Sequence, residues 1–324
     1  MKIPARYPAI LVAVAVLTTS LIVLQTGAVG AAPKAVTTGT AAPAAVPPPA
    51  APPAIQEPRG RVYLFRGALG PIFSLGMDKL TDRIKQAGFT ASVDEFTICG
   101  IVADRAIREY RADPAPIILV GHSMGGLCSV LFAERLQEEK IPVSLIVAVD
   151  PAHATHQVPL NVERFINVFL STSVLGGGDV TPKDGFKGHY ASIDLAQHSE
   201  VTHINIDKMD TIHEQIVAKV KQVSAIAPNS EGEALPIRLV VPPDAPIELW
   251  DSGMPVFARP GYTLDSLATL YHVPRWSLIQ LNKGIDGVPL IPGQRVVVPR
   301  HLVPPPVTAA AAPPAAPPQP TTRR

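Results

Sequence analysis

Gly121-His122-Ser123-Met124-Gly125 is the part of this chain where residue types and spacing point most directly to chemistry. The apolar run Pro116-Ile-Ile-Leu-Val120 precedes it and Leu127–Leu136, with helical apolar spacing, follows it. A serine flanked by glycines two positions away on each side, at a strand-to-helix turn, makes a nucleophile elbow. The turn is too tight for side chains at the glycine positions, and it leaves the hydroxyl exposed at the end of the strand. The helix N-terminus behind it favours developing negative charge. Such a hydroxyl can attack an acyl carbonyl if a histidine takes its proton and a carboxylate orients that histidine.

Two acids compete for the orienting role. Asp150 directly follows the buried-type strand Val143–Val149, and a strand C-terminus is where parallel sheets place site residues. Asp179 follows the next strand, Phe165–Leu170, and the glycine run Gly176-Gly177-Gly178. Asp150 is the first choice. Two histidines compete for the base. His203 lies between the strand candidate Tyr190–Leu195 and the final helix, whereas His213 sits at the start of that helix. His213 would be placed correctly if Val201–Ile206 were the last strand; His203 is preferred. His122, His153 and His156 read as supporting or surface histidines. The His153-x-x-His156 spacing has no third ligand nearby, so neither a metal nor a cofactor is expected.

The elements that must position these residues alternate between strand and helix. Arg61–Phe65 is a strand candidate, and Met77, Leu80, Ile84 and Ala87 recur at helical spacing before Gly88. Thr90–Phe96 predicts a strand and Val102–Tyr110 a helix, and Ile212, Ile216, Val220 and Val223 form the stripe of the last helix. The alternation predicts a compact, doubly wound α/β sheet over residues 59–226.

This arrangement resembles the α/β-hydrolase family, in its compact lipase, esterase and thioesterase branch. The resemblance implies a serine–acid–histidine triad in that chain order: Ser123, Asp150 and His203. The Asp150-Pro151-Ala152 run is similar to the acid-bearing segment of animal-type lipases, whereas the Asp179 position is the commoner one in the wider family. His203, with Ile206 three residues on, resembles the lipase base. The resemblance further implies an oxyanion hole made of the backbone amides of Met124 and Ala68. The family more often has His-Gly in the turn that here reads Arg66-Gly67.

The 324 residues carry 28 basic against 27 acidic side chains, which gives no support to a nucleic-acid partner. The 36 prolines cluster outside the predicted elements, against a typical share of ~5%. Lys2 and Arg6 precede the apolar run Ala9–Leu24 and the small residues 27–32, so residues 1–32 read as a secretory signal, or as a membrane anchor if uncleaved. Either reading exports the rest, to a periplasm or cell envelope. Residues 33–58 and 301–324 read as Pro/Ala-rich linker and tail, and 227–246 as a second linker. Cys99 and Cys128 admit a disulfide in an exported chain, but Cys128 lies on the buried-type helix after the serine, and two buried free thiols are the first expectation.

Residues 247–300 predict a separable β-α-α-β module. Its segments Gly261-Tyr-Thr-Leu264, Leu281-Asn282 and Leu290-Ile-Pro-Gly-Gln294 resemble a LysM domain. That resemblance implies binding of peptidoglycan or another N-acetylglucosamine glycan through Gly261, Tyr262, Thr263, Leu264, Asn282, Leu290 and Ile291. The combined expectation is an exported serine hydrolase acting on an ester- or thioester-containing small molecule or lipid, attached to cell-wall glycan. The alternatives are a non-catalytic glycan-binding envelope protein with a degenerate hydrolase fold, and an acyltransferase using the same triad.

Overall fold

The computed structural model describes residues 59–68, 70, 74–225 and 232–304. The expectations for residues 1–58, and for the tail from residue 305 on, lie outside the described residues. Among the described residues no helix is long and apolar enough to cross a membrane.

Seven parallel strands form one sheet in the order β2-β1-β3-β4-β5-β6-β7. They are β1 (Arg61–Arg66), β2 (Thr90–Glu95), β3 (Ile117–His122), β4 (Leu145–Val149), β5 (Arg164–Phe169), β6 (His189–Asp194) and β7 (Ile237–Val240). Helices α1 (Leu75–Gln86), α2 (Cys99–Ala112), α3 (Met124–Glu138) and α4 (Asp210–Ala225) connect them. Strand periodicity sorts the side chains between two cores. Val62, Leu64, Ile118 and Val120 join α1 and α4 on one face. Tyr63, Phe65, Ile117 and Leu119 join α2 and α3 on the other. This is the doubly wound arrangement that the strand–helix alternation predicts.

Two expectations need correction. Cys99 and Cys128 form a disulfide, not two free thiols. A short 3-10 turn, Phe96–Ile98, sets the start of α2 against α3 and brings the two Cα atoms to 5.7 Å. The stretch 227–246 is also more than a linker. Its residues Ile237–Val240 pair with β6 as the seventh strand, because Ile237 and Leu239 alternate inward with exposed Arg238 and Val240.

The C-terminal segment forms β8 (Trp250–Phe257), α5 (Leu264–Tyr271), α6 (Arg275–Leu281) and β9 (Arg295–His301), with β8 and β9 antiparallel. The expected β-α-α-β order is therefore present, but the unit is not separate. Leu249, Trp250, Leu264, Leu267, Leu278, Val296 and Val298 belong to the same continuous core as α1 and α4. β8 lies against β6 and β5. The Gln280 side chain of α6 accepts from Val240 N–H (2.9 Å) and donates to Val240 C=O (2.8 Å). It thereby supplies the partner that an edge strand would otherwise offer to another chain.

A buried charge cluster joins the two parts. Asp251 of β8, fully buried, pairs with His189 of β6 and with Lys219 of α4 at 2.5 Å. Burial alone would raise the Asp251 carboxyl; the His189 hydrogen bond and the Lys219 charge outweigh it and hold it at about 2. A carboxyl depressed in the folded state stabilises above its unfolded value, near ~4, and loses that contribution as the pH falls toward 2. Asp251→Asn should therefore cost ~3–5 kcal/mol at neutral pH, by leaving the buried Lys219 charge without its carboxylate. Wild type should lose its advantage over the variant between about pH 4 and pH 2. Urea unfolding followed by tryptophan fluorescence, which reports the C-terminal unit through Trp250 and Trp276, and by far-UV circular dichroism checks both, and the two transitions should coincide.

Candidate active site

β3 ends at His122 and α3 begins at Met124, so Ser123 alone makes the turn, with φ 57° and ψ −122°. A residue other than glycine holds positive φ only when its surroundings enforce it. Here they are backbone. A Cβ on Gly121 would lie 2.0 Å from the Gly125 carbonyl oxygen, and one on Gly125 would lie 2.1 Å from that of Phe65. A Cβ on Gly126 would meet the Pro151 ring at 2.7 Å, where α3 packs on the segment after β4.

Ser123, His203 and Asp150 meet at the C-terminal edge of the sheet. His203 Nε2 lies 3.1 Å from Ser123 Oγ, and His203 Nδ1 lies 2.6 Å from Asp150 Oδ2. With Nδ1–H donating to the carboxylate, Nε2 is free to accept the serine proton. Asp150 is fully buried, and its Oδ1 accepts from the backbone N–H groups of Leu170 (3.0 Å) and Gly177 (2.8 Å). A Cβ on Gly176 would lie 2.4 Å from Asp150 Oδ2. The glycine run that preceded the rival acid in sequence therefore wraps around Asp150.

The rival residues are engaged elsewhere. Asp179 pairs with Arg238 of β7 and accepts from Ser192 Oγ at 3.3 Å. His213 is buried in α4 with Nε2 2.6 Å from the Asp207 carbonyl, and burial lowers its pKa. Residues 201–206 are not a strand, so the loop after β6 carries His203 and not His213. His153 lies 3.2 Å from the Ser173 carbonyl and His156 3.0 Å from Glu134, each with its own partner.

Met124 and Ala68 both line the cleft beside Ser123, about 280 Å³ in volume, with His122, Leu175, His203 and Ile204. As the first residue of α3, Met124 has an N–H that no helical carbonyl takes up. The turn that carries Ala68 passes over the serine: a Cβ on Gly67 would lie 2.7 Å from Ser123 Cβ. Arg66, which departs from the resembled pattern, points away. It pairs with Asp78 of α1 and with Glu95 of β2 at 2.9 Å, and so pins this turn from outside.

The sequence carried no motif for Ser74 or Asp207, yet both hold the cleft together. Ser74 accepts from Gly67 N–H at 3.1 Å and its Oγ lies 2.8 Å from His122 Nδ1. Asp207 Oδ2 accepts from Gly76 N–H at 3.0 Å, and burial raises its carboxyl to about 6.

In the C-terminal unit, Thr263 and Ser266 form a reciprocal capping box at the start of α5. Leu264 and Leu290 are buried in the core. The Asn282 side chain is spent internally, donating to the Leu278 and Val297 carbonyls and accepting from Val297 N–H. Gly261 turns with φ 81°, Tyr262 is half-buried, and Ile291 is 71% exposed. A groove of about 190 Å³ runs between Thr263–Asp265 and Gly287–Pro289. Arg275 crosses it, bound to Asp265 at 2.6 Å and Asp286 at 2.5 Å. Arg275 has no signature in the sequence, because the two carboxylates that define its position lie ten and eleven residues away on different segments.

No protein-family model matches the chain, and neither does any curated protein. Solved structures similar to it are α/β-hydrolase and lipolytic proteins. One, from Xanthomonas campestris pv. campestris, is assigned to the hydrolases of the α/β superfamily; it is 18% identical, covers 39% of this chain and 76% of its own, and has a TM-score of 0.27. Another, from the metagenome-derived lipolytic enzymes LipS and LipT, is 20% identical, covers 30% of this chain and 44% of its own, and has a TM-score of 0.22. At these scores the likenesses carry no argument about substrate or residue roles.

The backbone contacts at the elbow set a stability test. Gly121→Ala and Gly125→Ala should each cost ~3 kcal/mol or more, since the added carbon meets main chain that has nowhere to move. Gly100→Ala, with open space around its Cβ, should cost nothing measurable. Urea midpoints of the three variants check this.

Proposed function

We propose that the protein is an exported serine hydrolase of carboxylic esters or thioesters. The observation that carries this reading is the unbroken hydrogen-bonded chain from Ser123 Oγ through His203 to Asp150. In it, Ser123 attacks the acyl carbonyl as His203 Nε2 takes the hydroxyl proton. Asp150, held by two backbone donors, fixes the Nδ1–H tautomer and stabilises the imidazolium. The amides of Met124 and Ala68 receive the oxyanion. His203 then returns the proton to the leaving alcohol or thiol, and water releases the acyl group by the same route. Leu175 and Ile204 on the cleft wall suit an apolar acyl or alcohol portion.

A serine-directed fluorophosphonate should label wild type and not Ser123→Ala. Ser123→Ala should lower turnover of short p-nitrophenyl esters by ~10⁶. His203→Ala should cost about as much as Ser123→Ala, and Asp150→Asn ~10⁴, against less than about tenfold for His213→Ala and Asp179→Asn. Labelling of Ser123→Ala at the wild-type rate would remove the nucleophile assignment.

The finer reading places the enzyme at a cell wall, held by the LysM-like C-terminal unit. Its support is the β-α-α-β order, the groove at Thr263–Asp265 and Gly287–Pro289, and the Cys99–Cys128 disulfide, which suits an oxidising compartment. Because the core is continuous, the test uses the full chain carrying Ser123→Ala. It should sediment with insoluble peptidoglycan and be released by chitin oligomers. Raising salt to ~0.5 M should leave it bound, because backbone donors and apolar contacts are not screened as free charges are. Release by salt alone would reduce the unit to a structural appendage.

A further inference from the structure

Ser123, His203 and Asp150 sit on three separate segments, and His203 lies on the loop between β6 and α4, which contributes no strand to the sheet. Asp150 holds the His203 ring, and the buried Val201 and Ile206 anchor the loop on either side of it. At the His203 backbone itself the partner is His122, the elbow residue before the serine. Its Nε2 lies 2.9 Å from the His203 carbonyl, an acceptor only, so Nε2 carries the proton and donates. Nδ1 is then an acceptor and accepts a hydrogen bond from the Ser74 hydroxyl at 2.8 Å. Ser74 Oγ in turn accepts from Gly67 N–H. The His122 and His203 rings also pack against each other, with centroids 4.7 Å apart and planes tilted by 35°.

The direction of every bond in this chain follows from the two ends, a backbone N–H at Gly67 and a backbone C=O at His203. Only a side chain that accepts on one side and donates on the other can bridge them through Ser74. Neutral imidazole does so, and burial together with the neighbouring His203 keeps His122 neutral by pushing it down to about 4. We propose that His122 is a positioning residue that ties the turn carrying Ala68, through Ser74, to the loop carrying His203, so that oxyanion donor and base keep a fixed separation across the serine. This rests on the reading of Ser123, His203 and Asp150 as the reacting unit.

The role predicts a defect in turnover, not in substrate affinity, since His122 holds groups that act on the transition state. His122→Leu, of similar bulk and without either polar atom, should lower kcat toward p-nitrophenyl esters by ~10–100-fold with KM changed less than about threefold. His122→Gln keeps an acceptor and a donor on one side chain and should recover kcat to within about fivefold of wild type. Ser74→Ala breaks the same chain without touching the elbow, and remains informative if the leucine variant does not fold. The double variant His122→Leu/Ser74→Ala should be no slower than the slower single one, because both cut one path. Melting temperatures and fluorophosphonate labelling of Ser123 are recorded for each. The proposal is overturned if kcat of both Ser74→Ala and His122→Leu stays within twofold of wild type, if glutamine is as slow as leucine, or if the two losses multiply. Failure of the underlying reading looks different: Ser123→Ala itself would retain activity and labelling.

Discussion

The site depends on how closely main chain can approach main chain at the Ser123 turn. β1 and β3 are parallel neighbours, and the turn leaving β3 must pass directly above the end of β1. Glycine at 121 and 125 allows carbonyl contacts that any Cβ would forbid. That contact holds Ser123 at positive φ, starts α3 beneath it and brings the Gly67 turn over its Cβ. Once the serine is fixed, the remaining groups have to reach it. Asp150 comes from the end of the adjacent strand β4, and His203 from a loop anchored by the buried Val201 and Ile206 and by hydrogen bonds to its own backbone and ring.

Those restraints converge on the start of α1. Ser74 reaches the Gly67 turn and His122; Gly76 receives Asp207 from the loop after His203, and its own Cβ position is filled by the Asp207 carbonyl at 1.9 Å. A short segment with no catalytic motif thus joins the Gly67–Ala68 side of the cleft to the His203 side. Buried polar groups that are mutually satisfied in this way specify one arrangement, because each alternative leaves a donor or acceptor stranded.

The C-terminal unit is tied to the sheet by a different device. Its apolar residues extend the core over α1 and α4, and the Asp251 cluster sits inside that contact, where a charge is tolerable only in company. The unit also closes the sheet's exposed edge through Gln280 and β7. It is a structural part of the domain that carries the cleft. Its groove is therefore held in place by the folded body and not hung from a free linker.

Local pattern determined a good deal by itself. The buried runs and helical stripes specify strands and helices, because apolar periodicity reflects which face meets the core. The elbow is legible because its steric demand falls on residues two positions away in the chain. The acid and the base were harder: Asp150 against Asp179 and His203 against His213 differ little in sequence context. Only the folded loops, with Gly176 and Gly177 around Asp150 and His122 on the His203 backbone, separate them. The disulfide, the strand hidden in the Pro-rich stretch, the Asp251 cluster and the bridging Ser74 had no local signal. Each depends on partners between roughly thirty and seventy residues away, and composition does not encode such separations. Local sterics act between neighbours in the chain and can be read from it; pairings between distant segments exist only once the core has brought them together.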